Sequence, residues 1–564
     1  MLRLRRTLLA LAVLAAGVGL VSNGYAQSLE SGPQVLTFQS EIDDTDQPYA
    51  IYLPPGIDAS AEYPLVISLH GAGSNHRLNL RRVFGASNHP GENDVEASRY
   101  FPEWDDVNYI VAAPLARGTM GYQSVAEHDV MSVLADVQRR FPVDADRIYL
   151  TGLSMGGGGA LWMGLTRPDL WAAIAPVCPA PPRATQAYTP NALHVPVHFF
   201  QGAADSVVSP DSVRAWSHTL DALGTPVTYT EYPGVGHNSW EDAYANGQIF
   251  DWFDQHERAS HPDRVRFQTR RYKYDSAYWV RIDALTPGTP AQADAAFTDT
   301  NRLDITTQGL DGLTLRLNDH PRVDQTQPLS MEIDGQSLTV PVTEPLSLHR
   351  SAGEWAVGPH DRPSTAKHPG AEGPMHAAIS DRHVYVYGTA DDPSDAELQR
   401  RRERAQTAAT WSVYRGEFLG RVQVFPRIVA DRNVRQSDLD ASNLILFGTR
   451  HTNTMIDQFS DRLPIEVDTS ATQDYGLAYI VPRGSTSVLV SSGRPWWTSN
   501  AAQESTPFGD QIPALTLMGL QDYLLFDASG ETIVEGRFDR RWQVPAPDAA
   551  AMNATGAVRV QPRE

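Results

Sequence analysis

The 564-residue chain has one cysteine, Cys178, and only two lysines, Lys273 and Lys367. A lone cysteine excludes an internal disulfide. Cys178 follows the apolar run AAIAPV and reads as a core residue, not a reactive thiol. Cations are short too: 46 Lys and Arg stand against 67 Asp and Glu, a formal charge of -21. No basic footprint for nucleic acid is present. The scarcity of lysine fits coding bias better than adaptation to salty water, where an acidic surface stays soluble. There is no His-Glu-x-x-His run and no cysteine cluster, so no metal or cofactor is expected. Long apolar runs are also missing. The one candidate, Leu8 to Val21, is short for a span of roughly 20 residues. It sits in MLRLRRTLLALAVLAAGVGLVSNGYAQ, with an Arg-rich start and the small residues Gly24 and Ala26 near the end. That is the layout of a signal peptide over 1–26, which predicts a secreted or periplasmic protein without a membrane span after cleavage. An uncleaved anchor is the alternative.

What is there divides into three compositional stretches. From 27 to 260, apolar runs alternate with helical patterns. PLVISLH (64–70), YIVAAP (109–114), RIYLTGLS (147–154), AAIAPV (172–177) and VPVHFFQG (195–202) predict buried strands of a parallel sheet. Residues 125–141, 156–165 and 210–223 predict helices between them, so the class is α/β. From 263 to 353 the runs are short, with turn residues between them, and predict a small β-sandwich. A Pro/Gly/His-rich linker is expected at 354–379. From 380 to 545 alternation returns, with strands at 383–389, 443–449, 476–483 and 487–493 and helices at 395–414 and 453–463. This predicts a second, smaller α/β domain, followed by a poorly ordered tail over 546–564.

Within the first stretch, GLSMGGGGA puts Ser154 between a predicted strand and a predicted helix. A serine on such a sharp turn is presented as a nucleophile, and Gly152 and Gly156 would let the backbone pass closely there. A serine nucleophile needs a base, and the base needs an orienting acid. Asp205 follows the predicted strand 195–202, and His237 follows the strand-like PVTYTEYP, both at carboxyl strand ends. Asp211 is the alternative acid, inside a helical pattern. His194 and His198 read as packing or surface residues. The turn LHGAGS offers the backbone N–H of Ala72, and the residue after the serine offers that of Met155, as oxyanion donors. Trp240 and Tyr122 are candidate pocket-wall residues, with simple packing as the competing reading.

On LHGAGSN, FPVDADRIYLTGLSMGGGGAL, GAADSVV and GHNSWEDAYAN, residues 27–260 resemble the α/β-hydrolase superfamily. The likeness is to secreted polyhydroxybutyrate depolymerase, feruloyl and acetylxylan esterases, and to the catalytic domain of prolyl oligopeptidases. It implies Ser154 as nucleophile, Asp205 as acid and His237 as base, acting without a metal or cofactor through an acyl-enzyme. RYKYDSAYWVRID and NLILFGT resemble regions C-terminal to such hydrolases in bacterial proteins. The resemblance also implies a propeller before the catalytic domain in a typical prolyl oligopeptidase. The short stretch before HGAG leaves no room for one. The interval from Cys178 to Val195 is likewise too short for a cap domain. The expected activity is carboxylic-ester hydrolysis on bulky or polymer-linked substrates, with a serine peptidase as alternative. Residues 263–545 would then be a polysaccharide- or surface-binding module or a structural brace. Oligomeric state is open.

Overall fold

The computed structural model describes residues 30–411, 424–504 and 512–561. The predicted signal peptide, the end of the predicted helix 395–414, and the last residues lie outside these.

The first sheet has eight strands: β1 (Gly32–Gln39), β2 (Asp46–Leu53), β3 (Tyr63–Leu69), β4 (Ile110–Pro114), β5 (Val143–Leu153), β6 (Ala173–Val177), β7 (Val197–Gly202) and β8 (Val227–Tyr232). Their order is β1-β2-β4-β3-β5-β6-β7-β8. The pairs β1/β2 and β2/β4 are antiparallel, and the rest are parallel. Every residue of β3, β4 and β6 is buried. The reason lies in the two faces. Leu65 and Ile67 of β3, with Ile148 and Leu150 of β5, pack with the helices Val125–Arg140 and Met155–Thr166. Val66 and Tyr149, on the opposite face, pack with His76–Val83 and Gln248–Phe253. A strand covered on both sides favours apolar residues at every position, hence the nearly continuous apolar runs, and the buried Ser68 of β3 is satisfied by Asn79 Nδ2 (2.9 Å). This is an α/β-hydrolase-like fold. The antiparallel β1 and β2 are not among the predicted strands; β1 is mostly half-buried, whereas Tyr49–Leu53 of β2 is a contiguous buried apolar run.

Residues 264–357 form two five-stranded sheets. One runs in the order Gln336–Val340, Leu329–Ile333, Arg302–Gln308, Ala291–Asp299, Arg264–Thr269. The other runs Ser276–Ala277, Val280–Leu285, Leu310–Leu315, Leu346–Ser351, Glu354–Val357. Alternate residues such as Val265, Phe267, Ile282, Ala293 and Leu313 share one core. A fourth, seven-stranded sheet spans His383–Tyr387 to Thr532–Gly536, with parallel strands on one side and antiparallel ones on the other.

Two expectations are corrected. The 354–379 segment is not a loose linker: Glu354–Val357 completes a sheet, and Met375–Ile379 is a 3-10 turn with three buried side chains. Glu372 is buried and accepts hydrogen bonds from the backbone N–H groups of Tyr272 (2.5 Å) and Lys273 (3.0 Å). Residues 546–561 are not a frayed tail either. Ala546–Ala554 is a helix whose Met552 is buried, and Val558–Val560 pairs antiparallel with Ile465–Val467. Composition misled in both places: Glu354–Val357 forms a hairpin with the adjacent Leu346–Ser351, while the partners of Glu372 and Val558–Val560 lie far away in sequence.

Lys367, in the same 354–379 segment, forms a buried ion pair with Asp522 (2.5 Å), and its ammonium lies over the Trp542 ring (4.8 Å). Removing one partner of a buried pair strands the other charge and costs about 3–5 kcal/mol. Lys367→Met should therefore lower the denaturant midpoint strongly. Lys367→Met combined with Asp522→Leu should recover most of the loss.

Candidate active site

The turn between β5 and the helix Met155–Thr166 sets the site. Ser154 takes φ 54°, a region unfavourable for a side-chain-bearing residue. Its backbone is tied on three sides. Its N–H donates to Val177 O (2.9 Å), and its carbonyl accepts from Gly158 (2.9 Å) and Ala180 (3.1 Å). The four glycines that follow have steric reasons. A Cβ on Gly156 would strike Leu69 O, on Gly157 Val177 O, on Gly158 Ala180 O, and on Gly159 the Tyr122 ring.

The turn lifts Ser154 Oγ to 3.0 Å from His237 Nε2. His237 Nδ1 lies 2.8 Å from Asp205 Oδ2. The other carboxylate oxygen accepts from the N–H groups of Val207 (2.8 Å) and Val208 (2.9 Å), and Gln201 Nε2 donates to Oδ2 (3.1 Å). Burial works against the Asp205 charge, but the bonds from His237, Val208 and Val207 outweigh it and hold its pKa below the usual carboxylate value. The Asp205 side chain is fully shielded, while His237 retains 22 % exposure. An ionised, dry carboxylate behind a partly accessible imidazole can fix the ring's tautomer and stabilise its charged form.

Of the other expected residues, Asp211 is exposed and bonded to Arg214, away from this chain of contacts. His198 stacks on Phe200 (3.9 Å between centroids) and contacts Thr230, a packing role. His194 packs edge-on to Tyr278. Trp240 stands edge-on against the His237 ring at 5.6 Å. Tyr122 is corrected: it is only 2 % exposed, and its hydroxyl donates to His70 O (2.9 Å). It supports the LHGAGS turn from beneath and offers no wall to a ligand. Ala72 is exposed at the tip of that turn, and Met155 is the first helical residue, whose N–H has no intrahelical acceptor.

Residues 40–272 match the model of the Esterase family, described as "Putative esterase". That segment therefore resembles esterases. A probable carboxylesterase of Oryza sativa subsp. japonica is 25% identical over 226 residues, covering 37% of this chain and 83% of that protein. Among solved structures, a thermostable esterase is 24% identical, with 40% of this chain and 63% of that one covered and a TM-score of 0.32. A ferulic acid esterase is 18% identical, with 40% and 99% covered and a TM-score of 0.31. The chain thus spans just under two thirds of the thermostable esterase.

Cys178, Asp205 and His237 place one potential ligand atom each within 4.8 Å of one another. They do not fit a metal: burial pushes the Cys178 thiol up to about 12, and the other two groups are engaged with each other.

Arg117 escapes sequence reading. It lies in a loop of unusual backbone, with φ 45° at Ala116, 62° at Arg117 and 59° at Ser124. This loop carries the LHGAGS turn: His70 Nε2 lies 2.8 Å from Leu115 O, and Gly73 N–H donates to Thr119 Oγ1 (2.7 Å). Arg117 is fully buried and donates to Asp129 (2.6 Å), Asp43 (2.7 and 3.1 Å) and Ser40 (2.7 Å). Only a planar fork meets acceptors in those directions. Nothing in RGT signals this, since the acceptors come from distant segments. Arg117→Lys should lower kcat for a simple ester about 10- to 100-fold with little change in KM, because it shifts the turn and not the binding surface. Steady-state kinetics beside a thermal melt would separate this from global unfolding.

Proposed function

We propose that the protein is an exported carboxylic-ester hydrolase in which Ser154, His237 and Asp205 act as a catalytic triad. The carrying observation is the continuous relay Ser154 Oγ–His237 Nε2 (3.0 Å) and His237 Nδ1–Asp205 Oδ2 (2.8 Å) on the strained turn. Ser154 Oγ attacks the ester carbonyl while His237 takes its proton, and Asp205 stabilises the resulting imidazolium. The tetrahedral oxyanion accepts from the N–H groups of Ala72 and Met155. Collapse expels the alcohol, which receives the proton from His237. Water then attacks the acyl-enzyme by the same route in reverse roles.

The surroundings support an uncovered site that admits bulky or polymer-linked esters. The stretch where a cap would be inserted, Arg183–His194, is a 3-10 segment pinned down by Asn191, which bonds Leu165 O and both Gln268 backbone groups. Beside Asp205, Val207 is 69% exposed, an apolar rim for an acyl or aryl group. The ferulic acid esterase likeness is compatible with such a substrate. In this reading the chain is organised as a leader (1–26), a catalytic domain (27–260), a β-sandwich and a C-terminal α/β domain. Export rests on the Arg-rich, apolar leader layout; among the described residues no helix is long and apolar enough to cross a membrane.

A fluorophosphonate probe should label the protein and fail to label Ser154→Ala. Asp205→Asn should reduce kcat on p-nitrophenyl acetate about 10⁴-fold with the fold intact. Feruloyl esters should be turned over and chromogenic peptides not. Peptide turnover without ester turnover would overturn the esterase assignment, and persistent labelling of Ser154→Ala would overturn the triad.

A further inference from the structure

The seven-stranded sheet contains a crevice unrelated to the triad. The strand His383–Tyr387 lies between Arg427–Ala430 and Asn443–Phe447, all parallel. The chain therefore leaves the central strand toward one neighbour and then crosses to the other side. Such a reversal opens a gap outside the carboxyl ends of the strands, where α/β sheets hold ligands. One strand further along, a cavity of about 550 Å³ lies between the helix Asp395–Ala408, which follows the central strand, and the carboxyl ends of Asn443–Phe447 and Thr486–Gly493. A second cavity of about 460 Å³ adjoins it, the two sharing Thr449 and Thr469.

The lining is basic in a chain of net charge -21. Arg400, Arg401, Arg404 and Arg494 face one acidic residue, Glu397. Arg400 and Arg401 bond Glu397, at 2.6 and 3.0 Å, and Arg401 also bonds Asp391 (2.9 Å). The other two are held by backbone carbonyls: Arg404 donates to Gly493 O (2.9 Å) and Arg494 to Gln473 O (3.3 Å). Neither forms a salt bridge among the described residues. Their chain positions bring them together, since Arg404 grips the residue before Arg494. The floor is preset. Gly448 takes φ 118°, and the turn after it is closed by Thr449 N–H to Thr452 Oγ1 (2.8 Å) and Thr452 N–H to Thr449 O (3.0 Å). Guanidinium groups fixed by carbonyls keep their remaining N–H donors, beside threonine hydroxyls, for an oxyanion.

We propose that this crevice binds a small organic anion, with a phosphate, sulfate or carboxylate head on Arg404 and Arg494 and a polar body in the adjoining cavity. The volumes suit a ligand between a monosaccharide and a mononucleotide in size. The site is independent of the proposed esterase chemistry.

Calorimetric titration of the full chain at low salt tests it, with glucose 1-phosphate, glucose 6-sulfate, glucuronate and glucose as probes. At least one anion should bind saturably, with inorganic phosphate competing against a phosphorylated probe, and glucose should not bind. Arg404→Gln with Arg494→Gln should weaken binding more than tenfold, whereas Ser154→Ala should leave it unchanged. If the double variant loses its native circular dichroism, Arg494→Gln alone carries the test, as among the described residues its side chain bonds an exposed carbonyl, Gln473 O. Absence of saturable binding by all three anions, equal affinity in the folded variant, or loss of binding in Ser154→Ala would each overturn the proposal.

Discussion

The helix that follows Ser154 can meet the strand ends only because the four residues after Met155 carry no side chains. Gly156 to Gly159 touch, in turn, the Leu69 carbonyl, the Val177 carbonyl, the Ala180 carbonyl and the Tyr122 ring. Glycine in a helix costs about 1 kcal/mol per residue relative to alanine, so the run is unfavourable by local propensity alone. The return is positional. With the helix start pressed against β3 and β6, the Ser154 backbone can bond to Val177, Gly158 and Ala180 at once, and the left-handed φ is over-determined. A serine so held has a fixed Oγ, and the His237 and Asp205 loops need only reach that point.

The second half of the site depends on a longer chain of contacts. The LHGAGS turn rests on the 115–124 loop, that loop rests on Arg117, and Arg117 rests on Asp43 and Asp129. Asp43 in turn accepts from the Phe425 N–H (3.0 Å), while its neighbours Asp44 and Glu41 bond Arg382. The seven-stranded part of the chain thus grips the same short turn that neutralises the arginine under the catalytic loops. Ser124 and Ser380 make a further link at 2.9 Å. These contacts favour the brace over the free binding module as the C-terminal part's relation to the first sheet, and the two roles are compatible.

The legible features were those written in contiguous residues. β3, β4 and β6 appear as nearly continuous apolar runs because both faces of the sheet are covered, and β7 is readable despite His198 and Gln201. The order of Ser154, Asp205 and His237 is readable because each follows a strand. What could not be read is whatever depends on a partner remote in sequence. Tyr122 looks like a loop aromatic until Gly159 and His70 are placed over it. Arg117 looks like a solvated charge until Asp43 and Asp129 converge on it. Residues 546–561 look disordered because their strand partner, Ile465–Val467, is about 90 residues earlier. Positive φ at Ala116, Arg117 and Ser124 has no compositional signal at all, since glycine is absent from those positions.

The two lysines join these observations. Coding bias can explain why nearly every cation is arginine, but it does not explain where lysine remains. Lys367 is buried against Asp522 and lies over Trp542, and Lys273 reaches Glu127 (3.4 Å) and lies over Tyr274 at 5.6 Å. Each pairs a carboxylate on one side with an aromatic face on the other, and each carboxylate is buried. Glu127 shows the balance: burial opposes its charge, yet Lys273 and Arg167, with the Tyr274 hydroxyl, hold its pKa down to about 2. In such a slot a compact ammonium contacts the ring and the carboxylate together, and around Glu127 the Arg167 guanidinium does the same from another side, 4.9 Å over Tyr274 and 2.5 Å from the carboxylate. Both lysines sit in segments, 271–274 and 366–368, that connect one sheet to the next. The residues the composition nearly lacks are therefore found where the chain crosses between sheets, each against a buried carboxylate and an aromatic ring, with Arg167 sharing Glu127.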